Sequence, residues 1–255
     1  MRILLTNDDG IFAPGLRALE RELRKIGHVD VVAPATEQSG VGHSITFLSP
    51  LVAQEVYEGE DFRGWSVEGS PADSVKIGIH EFCQQRPDLV VSGMNAGLNA
   101  GINVLYSGTV AAAIEGAFFG ITSIAVSLEW SRHPALDRAA QLAGRLIEQI
   151  LQQKGPQPQL FNLNFPTAAL VQQAPEVHVV PMAVLQYGEK YERRKDPRGR
   201  NYYWATGGPP PPVEGAEDDI SALAQGHITL TPLDFDLTAR GILPSMQSWR
   251  FETQG

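Results

Sequence analysis

The stretch Met1-Arg-Ile-Leu-Leu-Thr-Asn-Asp-Asp-Gly10 decides the fold, because a run typical of a buried strand leads directly into two adjacent carboxylates. Residues 2–6 predict a β-strand, and residues 7–10 predict the turn that leaves it. In an open parallel α/β sheet, ligands bind beyond the carboxyl ends of the strands. The sequence therefore places Asp8 and Asp9 where such a sheet binds its ligands.

The aspartate pair supports two interpretations. Adjacent carboxylates repel each other unless they are solvated, protonated or neutralised, so a divalent metal would use both charges. In the other interpretation, one aspartate caps the next helix and the other faces water. This stretch alone leaves both interpretations open.

Composition limits the class of protein. With 255 residues, 43% hydrophobic and 19% charged, the chain fits one large α/β domain with or without an appendage. A net charge of -9 argues against a nucleic-acid polymer as partner, since phosphate backbones are bound by clustered Lys and Arg. The basic cluster at 190–200 is short and predicts a solvated hairpin tip.

The single cysteine and the lack of long apolar runs predict a cytoplasmic protein without a membrane partner. Cys83 excludes an intramolecular disulfide, fits a reducing compartment, and lies in an apolar helical pattern that predicts a buried, inert thiol. The N-terminal residues show no charged leader followed by an apolar run, and no segment reaches about 18 uninterrupted apolar residues.

Strand and helix patterns alternate through residue 166, which predicts a doubly wound, mostly parallel α/β sheet. The predicted strands are 2–6, 29–33, 88–92, 123–128 and 160–165, and the predicted helices are 14–26, 71–82, 109–119 and 134–151. Residues 44–68 predict a small antiparallel excursion with β-rich pieces at 45–48, 51–56 and 65–67.

From residue 176 the pattern becomes β-rich, with segments at 177–181, 201–205 and 227–230. The Gly-Gly-Pro-Pro-Pro-Pro run at 207–212 predicts an extended loop or polyproline spacer. We therefore divide the chain into a catalytic core, 1–175, and a C-terminal extension, 176–255. We expect the extension to form an arm or hairpin that packs on the core and on a partner subunit.

Three further stretches carry candidate ligands. Ser39 follows the second strand and is either a turn-forming serine or a metal ligand. His43, close to it in sequence, is either a catalytic acid or a structural residue. The loop 93–109 has three glycines, with Asn95, Asn99 and Asn103 at four-residue spacing, which suggests groups arranged around a ligand. Ser107, Gly108 and Thr109 begin a helix and form either a phosphate site or an ordinary N-cap.

The exits of three predicted parallel strands thus carry Asp8 with Asp9, then Ser39, then Asn95. These oxygen ligands favour Mg²⁺ or Mn²⁺ over zinc, and no two of the six histidines have the His-x-x-x-His spacing of a helical zinc site. A hard metal beside a phosphate site indicates hydrolysis of a phosphomonoester by water, without a covalent intermediate.

Five motifs carry a family resemblance. They are Leu-Leu-Thr-Asn-Asp-Asp-Gly at 4–10, Ala-Pro-x-x-x-Gln-Ser-Gly at 33–40, Gly-Ser-Pro-Ala-Asp at 69–73, Val-Ser-Gly-Met-Asn-x-Gly-x-Asn at 91–99 and Tyr-Ser-Gly-Thr-Val at 106–110. In this order they resemble the SurE family of metal-dependent nucleotidases. The resemblance implies a Rossmann-like core and hydrolysis of nucleoside 5'- and 3'-monophosphates, with short polyphosphate as a further substrate of some members.

The resemblance also implies residue roles. It places one divalent cation per subunit on Asp8, Asp9, Ser39 and Asn95, of which Asp8, Asp9 and Asn95 are catalytic. Substrate phosphate falls on Ser107, Gly108 and Thr109, and C-terminal arms join subunits into a homodimer or homotetramer. Some members have a histidine in the Thr-Pro-Leu-x-x-Asp-Leu-Thr stretch, where this chain has Asp234 and Phe235, so no role is carried over there.

Other classes fit less well. A phosphatase with an aspartate nucleophile needs two aspartates separated by one residue, and a P-loop protein needs Gly-x-x-x-x-Gly-Lys-Ser/Thr, and this chain has neither pattern. The alternative that stays open is a noncatalytic module that binds nucleotide or phosphate on the same fold.

Overall fold

The computed structural model describes residues 1–185, 190–206, 213, 215 and 217–253. The strands in these residues are β1 Arg2–Thr6, β2 His28–Pro34, β3 Ala53–Glu58, β4 Asp61–Val67, β5 Leu89–Ala96, β6 Thr122–Leu128, β7 Leu160–Phe165, β8 Val177–Val179, β9 Tyr191–Lys195, β10 Asn201–Ala205 and β11 Ile228–Leu233. The helices are α1 Pro14–Leu23, α2 Pro71–Ile77, α3 Gly108–Phe118, α4 Leu136–Gln153, α5 Thr167–Leu170, α6 Asp219–Ala224 and α7 Leu243–Met246. A π-helical turn, Gly78–Phe82, continues α2, and a 3₁₀ turn, Gly101–Leu105, precedes α3.

Nine of the described strands form one sheet in the order β3-β4-β2-β1-β5-β6-β7-β11-β8. Neighbours from β4 through β7 are parallel, whereas β3 and β11 run antiparallel to β4 and β7. After β1, the chain adds β2 and β4 on one side of the sheet. It then returns to place β5 on the other side of β1 and continues outward with β6 and β7. The predicted doubly wound α/β fold is confirmed, and its topological switch point lies between β1 and β5.

Helices cover both faces of the sheet because side chains alternate along each strand. In β1, Ile3 and Leu5 pack in the cluster that contains buried residues of α1 and α4. Leu4 between them packs on the opposite face with Val75 of α2 and Ala112 of α3. Burial on both faces explains why the strand sequences are continuously apolar rather than alternating.

The predicted strand at 45–48 is wrong. Phe47 and Leu48 are 84% and 95% exposed, and no strand forms at these residues. The backbone amide and hydroxyl of Thr46 instead donate to the carboxylate of Asp73, at 2.9 and 2.7 Å, so bonds to a side chain distant in sequence replace strand pairing. The antiparallel excursion is the β3–β4 hairpin, in which β4 also pairs in parallel with β2.

The C-terminal region joins the main sheet through β8 and β11, while β9 and β10 form a separate antiparallel hairpin. Every residue of these two strands is exposed, which agrees with the solvated hairpin predicted at 190–200. The sequence pattern did not predict α6, whose N-cap Asp218 accepts a bond of 2.8 Å from the Ser221 amide. The predicted spacer at 207–212 lies outside the described residues.

Cys83 is only partly buried, whereas the sequence predicted a buried thiol, but its raised pKa agrees with the predicted low reactivity. Burial, followed by the nearby Asp30 carboxylate, raises the pKa of Cys83 to about 12, so the thiolate is scarce at neutral pH. In the part of the chain that the structure describes, none of the helices combines the length and apolar character needed to cross a membrane.

The buried Glu115 of α3 fastens two other segments to that helix. Its carboxylate pairs with Lys76 Nζ of α2 at 3.1 Å and with His43 Nε2 of the loop after β2 at 2.7 Å. The His43 ring also stacks on Phe118. His43 therefore holds the loop that carries Ser39 beside α3.

We expect Glu115→Gln to lower the free energy of unfolding at pH 7 by about 1–3 kcal/mol, because two charge-assisted bonds weaken. Burial raises the pKa of Glu115, but the bonds from His43 and Lys76 outweigh it and hold the pKa below the ordinary 4.5. This stabilisation is therefore present above pH 4.5 and is lost as pH falls through the folded pKa. Urea denaturation at pH 7 and pH 3 measures the effect. The exposed Glu148→Gln is the control, and equal losses at the two pH values would contradict the interpretation.

Candidate active site

Asp8 and Asp9 leave β1 at the switch point, in a turn fixed by its own side chains. Asn7 Nδ2 donates to Gly10 O at 3.0 Å, and Gly10 N donates to Asn7 Oδ1 at 3.2 Å. Asp8 is only 4% exposed, and its Oδ1 accepts a bond of 2.5 Å from Thr109 Oγ1. Asp9 Oδ2 accepts a bond of 3.1 Å from the amide of Ala96. A residue of α3 thus fixes the carboxylate of Asp8, and the last residue of β5 fixes that of Asp9.

A third carboxylate, Glu37, lies in the loop after β2 and was not singled out from the sequence. The amide of Gln38 donates to the Asp8 carbonyl at 2.7 Å, which fastens this loop to the end of β1. Ser39 Oγ donates to Glu37 Oε1 at 2.7 Å. Ser39 thus reaches the site, but its hydroxyl contacts Glu37 rather than either aspartate. The signal that could have revealed Glu37 in the sequence is its position, two residues before the candidate ligand Ser39.

The three carboxylates form an acidic cluster that no cationic side chain of the described residues compensates. Burial raises the pKa of Asp8, and burial followed by the charge of Asp8 raises the pKa of Asp9 to about 6. The charge of Glu37 raises both. Among the described residues, no Lys, Arg or His forms an ion pair with any of the three. This donor set fits a hard divalent cation.

The first turn of α3 lies against Asp8. Ser107 Oγ accepts a bond of 3.1 Å from the Val110 amide, so Ser107 is the N-cap while its own hydroxyl hydrogen is free to donate. A Cβ on Gly108 would lie 3.0 Å from Asp8 Cβ, so glycine permits this close approach. The amides of a first helical turn lack intrahelical acceptors, which makes this end suitable for an anion.

Two asparagines of the loop 93–109, Asn95 and Asn99, have different positions: Asn95 lies at the acidic cluster, and Asn99 bonds the loop to neighbouring strands. Asn95 Nδ2 donates to Gly97 O at 2.7 Å, which leaves its Oδ1 available as a ligand. Asn99 lies away from the site, bonded through its backbone to buried Asn162 and Asn164 of β7, and through its side chain to Ser127 Oγ. Asn95 therefore lies beside the acidic cluster, and Asn99 anchors the loop.

A cleft of about 240 Å³ lies next to the cluster. Asp9, Glu37 and Asn95 line one part of it. Its remaining wall includes Leu128, Pro134, Leu136 and Trp130, of which Trp130 is 66% exposed. The cleft thus joins an acidic end to an apolar and aromatic wall.

Fold and geometry together define a Rossmann-like α/β protein with an acidic cluster at its topological switch point. The family model "Survival protein SurE" matches residues 3–191. The 5'-nucleotidase SurE of Rhodopirellula baltica is 56% identical over 98% of both chains, and that of Carboxydothermus hydrogenoformans is 42% identical over 98% of this chain and 96% of its own. The crystal structure of the SurE protein from Aquifex aeolicus matches with a TM-score of 0.83 and 33% identity, over 97% of this chain and 98% of that one. The chain belongs to the SurE family.

The contact between Gly108 and Asp8 can be tested by adding one methyl group. We expect Gly108→Ala to lower kcat/KM for phosphomonoester hydrolysis by about 10- to 100-fold, because small displacements of reacting groups are costly. The assay is phosphate release by folded protein, with circular dichroism to verify folding. Gly155→Ala, at a position with open space around it, is the matched control. Equal activity of the two variants would show that the close approach is unimportant.

Proposed function

We propose that this protein is a divalent-metal-dependent nucleotidase that hydrolyses nucleoside 5'- and 3'-monophosphates to nucleoside and phosphate. The observation that carries the proposal is the uncompensated cluster of Asp8, Asp9 and Glu37 beside the N-terminus of α3. The relatives named 5'-nucleotidase, at 56% and 42% identity over nearly the whole chain, support the 5'-activity. Short polyphosphate is a further proposed substrate, since it offers the same phosphate oxygens.

One Mg²⁺ or Mn²⁺ per subunit would be held by Asp8, Asp9, Ser39 and Asn95, whose oxygens are hard ligands. When bound, such a cation would neutralise phosphate oxygens and orient water for in-line attack. The bond from Thr109 fixes the orientation of Asp8, and the bond from Ala96 fixes that of Asp9. Both carboxylates are therefore oriented before substrate arrives.

The substrate phosphate is proposed to lie at the start of α3. There the first-turn amides at Gly108 and Thr109, together with the Ser107 hydroxyl hydrogen, would donate to phosphate oxygens. The nucleoside would occupy the neighbouring cleft, where Trp130 offers an aromatic face. This arrangement would place the ester bond beside the acidic cluster. Nucleoside monophosphates are therefore the proposed substrates rather than bare sugar phosphates.

We propose that the region 176–255 supplies an arm that joins subunits into a homodimer or homotetramer, with 1–175 as the catalytic core. An isolated two-stranded hairpin is marginally stable in water. Here β9 and β10 nevertheless expose Tyr203 and Trp204, and the following tail exposes Trp249 and Phe251. A second copy of the chain would cover these aromatic side chains. A cytoplasmic location stays a prediction from the sequence.

Phosphate release from a panel of substrates tests the enzymatic proposal. The panel contains nucleoside 5'- and 3'-monophosphates, ribose 5-phosphate and tripolyphosphate, each with Mg²⁺, Mn²⁺ or EDTA. We expect metal-dependent turnover, a lower KM for nucleotides than for ribose 5-phosphate, and a loss of at least about a thousandfold in kcat for Asp8→Asn. Exposed Asp61→Asn is the matched control.

A different outcome would favour the alternative function. If wild-type protein binds metal and nucleotide but releases no phosphate from any substrate, the protein is a noncatalytic binding module. Turnover that EDTA leaves unchanged would contradict the metal dependence.

A further inference from the structure

Asp219 is a buried carboxylate that the proposed chemistry does not use. It is the first residue of α6 and is 0% exposed. Its Oδ2 accepts a bond of 2.8 Å from the Gly101 amide, and its Oδ1 accepts one of 2.9 Å from the Ala183 amide. The Asp219 amide donates in turn to the Pro181 carbonyl at 3.0 Å. One residue of the C-terminal region thus ties α6 both to the chain after β8 and to the loop after β5.

Gly101 connects this carboxylate to the proposed phosphate site. It begins the 3₁₀ turn Gly101–Leu105, which ends just before Ser107, the N-cap of α3. Gly101 has a φ of +57°, and a Cβ there would lie 2.7 Å from Ile220 Cδ1, so the loop and α6 are in close contact. The bond to Asp219 therefore fixes the start of the segment that leads to Ser107.

Burial of Val104 also holds the 3₁₀ turn, but in a less specific way. Val104 is 5% exposed and packs in a cluster with Val110 and Ala125. Apolar burial is non-directional, whereas a hydrogen bond constrains both distance and angle. The bond from Gly101 to Asp219 is therefore a directional restraint on the turn, in addition to its apolar packing.

The two halves of the loop 93–109 have separate anchors. Asn99 is bonded through its backbone to side chains of β7. These bonds hold the half that carries Asn95, beside the acidic cluster. The bond to Asp219 holds the other half, which leads to Ser107. Loss of the Asp219 carboxylate should therefore disturb phosphate binding more than metal binding.

On the basis of the proposed nucleotidase function, we infer that Asp219 is a positioning residue of the active site. Through Gly101 it places Ser107 and the first turn of α3 for the substrate phosphate. Its side-chain bonds are to backbone amides outside the proposed phosphate site, so it acts on the substrate only through the loop. The region 176–255 is thereby part of the catalytic unit, in addition to the subunit contacts proposed for it.

Two substitutions of Asp219 in the full-length protein test this role. Asp219→Ala removes both acceptor oxygens, and Asp219→Asn keeps one of them. We expect Asp219→Ala to lower kcat/KM for nucleoside monophosphates by about 10- to 100-fold, because small displacements of binding groups are costly, and Asp219→Asn to lose less. By calorimetry, the affinity for inorganic phosphate with Mn²⁺ present should fall at least about tenfold, whereas the affinity for Mn²⁺ should change less than about threefold.

Asp218→Ala is the matched control for loss of stability. Asp218, the neighbouring carboxylate, caps the same helix by accepting a bond of 2.8 Å from the Ser221 amide. Loss of this cap should lower the Tm. Because the bond from Gly101 to Asp219 is kept, kcat/KM and the phosphate affinity should stay within about twofold of wild type.

Gly101→Ala tests the same connection from the side of the loop. The added Cβ would collide with Ile220 Cδ1, so we expect a loss of phosphate affinity like that of Asp219→Ala. Adding Ile220→Val removes that atom and should restore part of the affinity. The restoration is partial, because alanine is disfavoured in the left-handed backbone conformation of Gly101.

The outcomes separate this inference from the proposed function. Unchanged phosphate affinity in Asp219→Ala, or equal losses of phosphate and Mn²⁺ affinity, would overturn the positioning role. So would a loss of kcat/KM in Asp218→Ala equal to that in Asp219→Ala. If Asp219→Ala does not fold, the same comparisons are made with Asp219→Asn. If wild type binds phosphate but hydrolyses no nucleotide, the proposed function fails, while weaker phosphate binding by Asp219→Ala would still support the positioning role.

Discussion

Electrostatic repulsion among Asp8, Asp9 and Glu37 is the constraint on which the proposed active site depends. The fold brings these carboxylates together, because β1 and β2 end at the same edge of the sheet. The backbone amide of Gln38, in the loop after β2, donates directly to the carbonyl of Asp8. Burial of Asp9 disfavours its charged form, and the charge of Asp8 adds to this effect, so the pKa of Asp9 rises to about 6. A bound divalent cation would relieve the repulsion that the folded chain otherwise carries.

The groups around the cluster keep these charges in place. Thr109 binds Asp8 from α3, and the absence of a side chain on Gly108 lets that helix approach. On the other side, Asn99 anchors the loop after β5 to the ends of β6 and β7. The loop also reaches the C-terminal region, because Gly101 N donates to Asp219 Oδ2 at 2.8 Å. Rigid packing therefore preorganises the site, in agreement with its position at the topological switch point.

Much of the fold could be predicted because buried parallel strands are continuous apolar runs, and β1 and β7 match their predicted bounds. The strand predicted at 45–48 failed because Thr46 bonds to the distant Asp73, which local sequence cannot reveal. The sequence indicated that Asp8, Asp9 and Asn95 lie close together, because each follows the carboxyl end of a predicted parallel strand. The role of Asn99 as an anchor depends on how β6 and β7 lie beside its loop, which local patterns do not specify.

If a cation relieves this repulsion, the stability of Asp9→Asn relative to wild type should depend on whether metal is present. The most direct measurement is the free energy of unfolding of wild type and this variant at pH 8, with EDTA and then with Mn²⁺. Without metal, the variant should be the more stable protein, because one repelling charge is gone. With Mn²⁺ the order should reverse, because wild type binds the ion more tightly. If the variant is less stable by the same amount in both conditions, the acidic cluster is not a cation site.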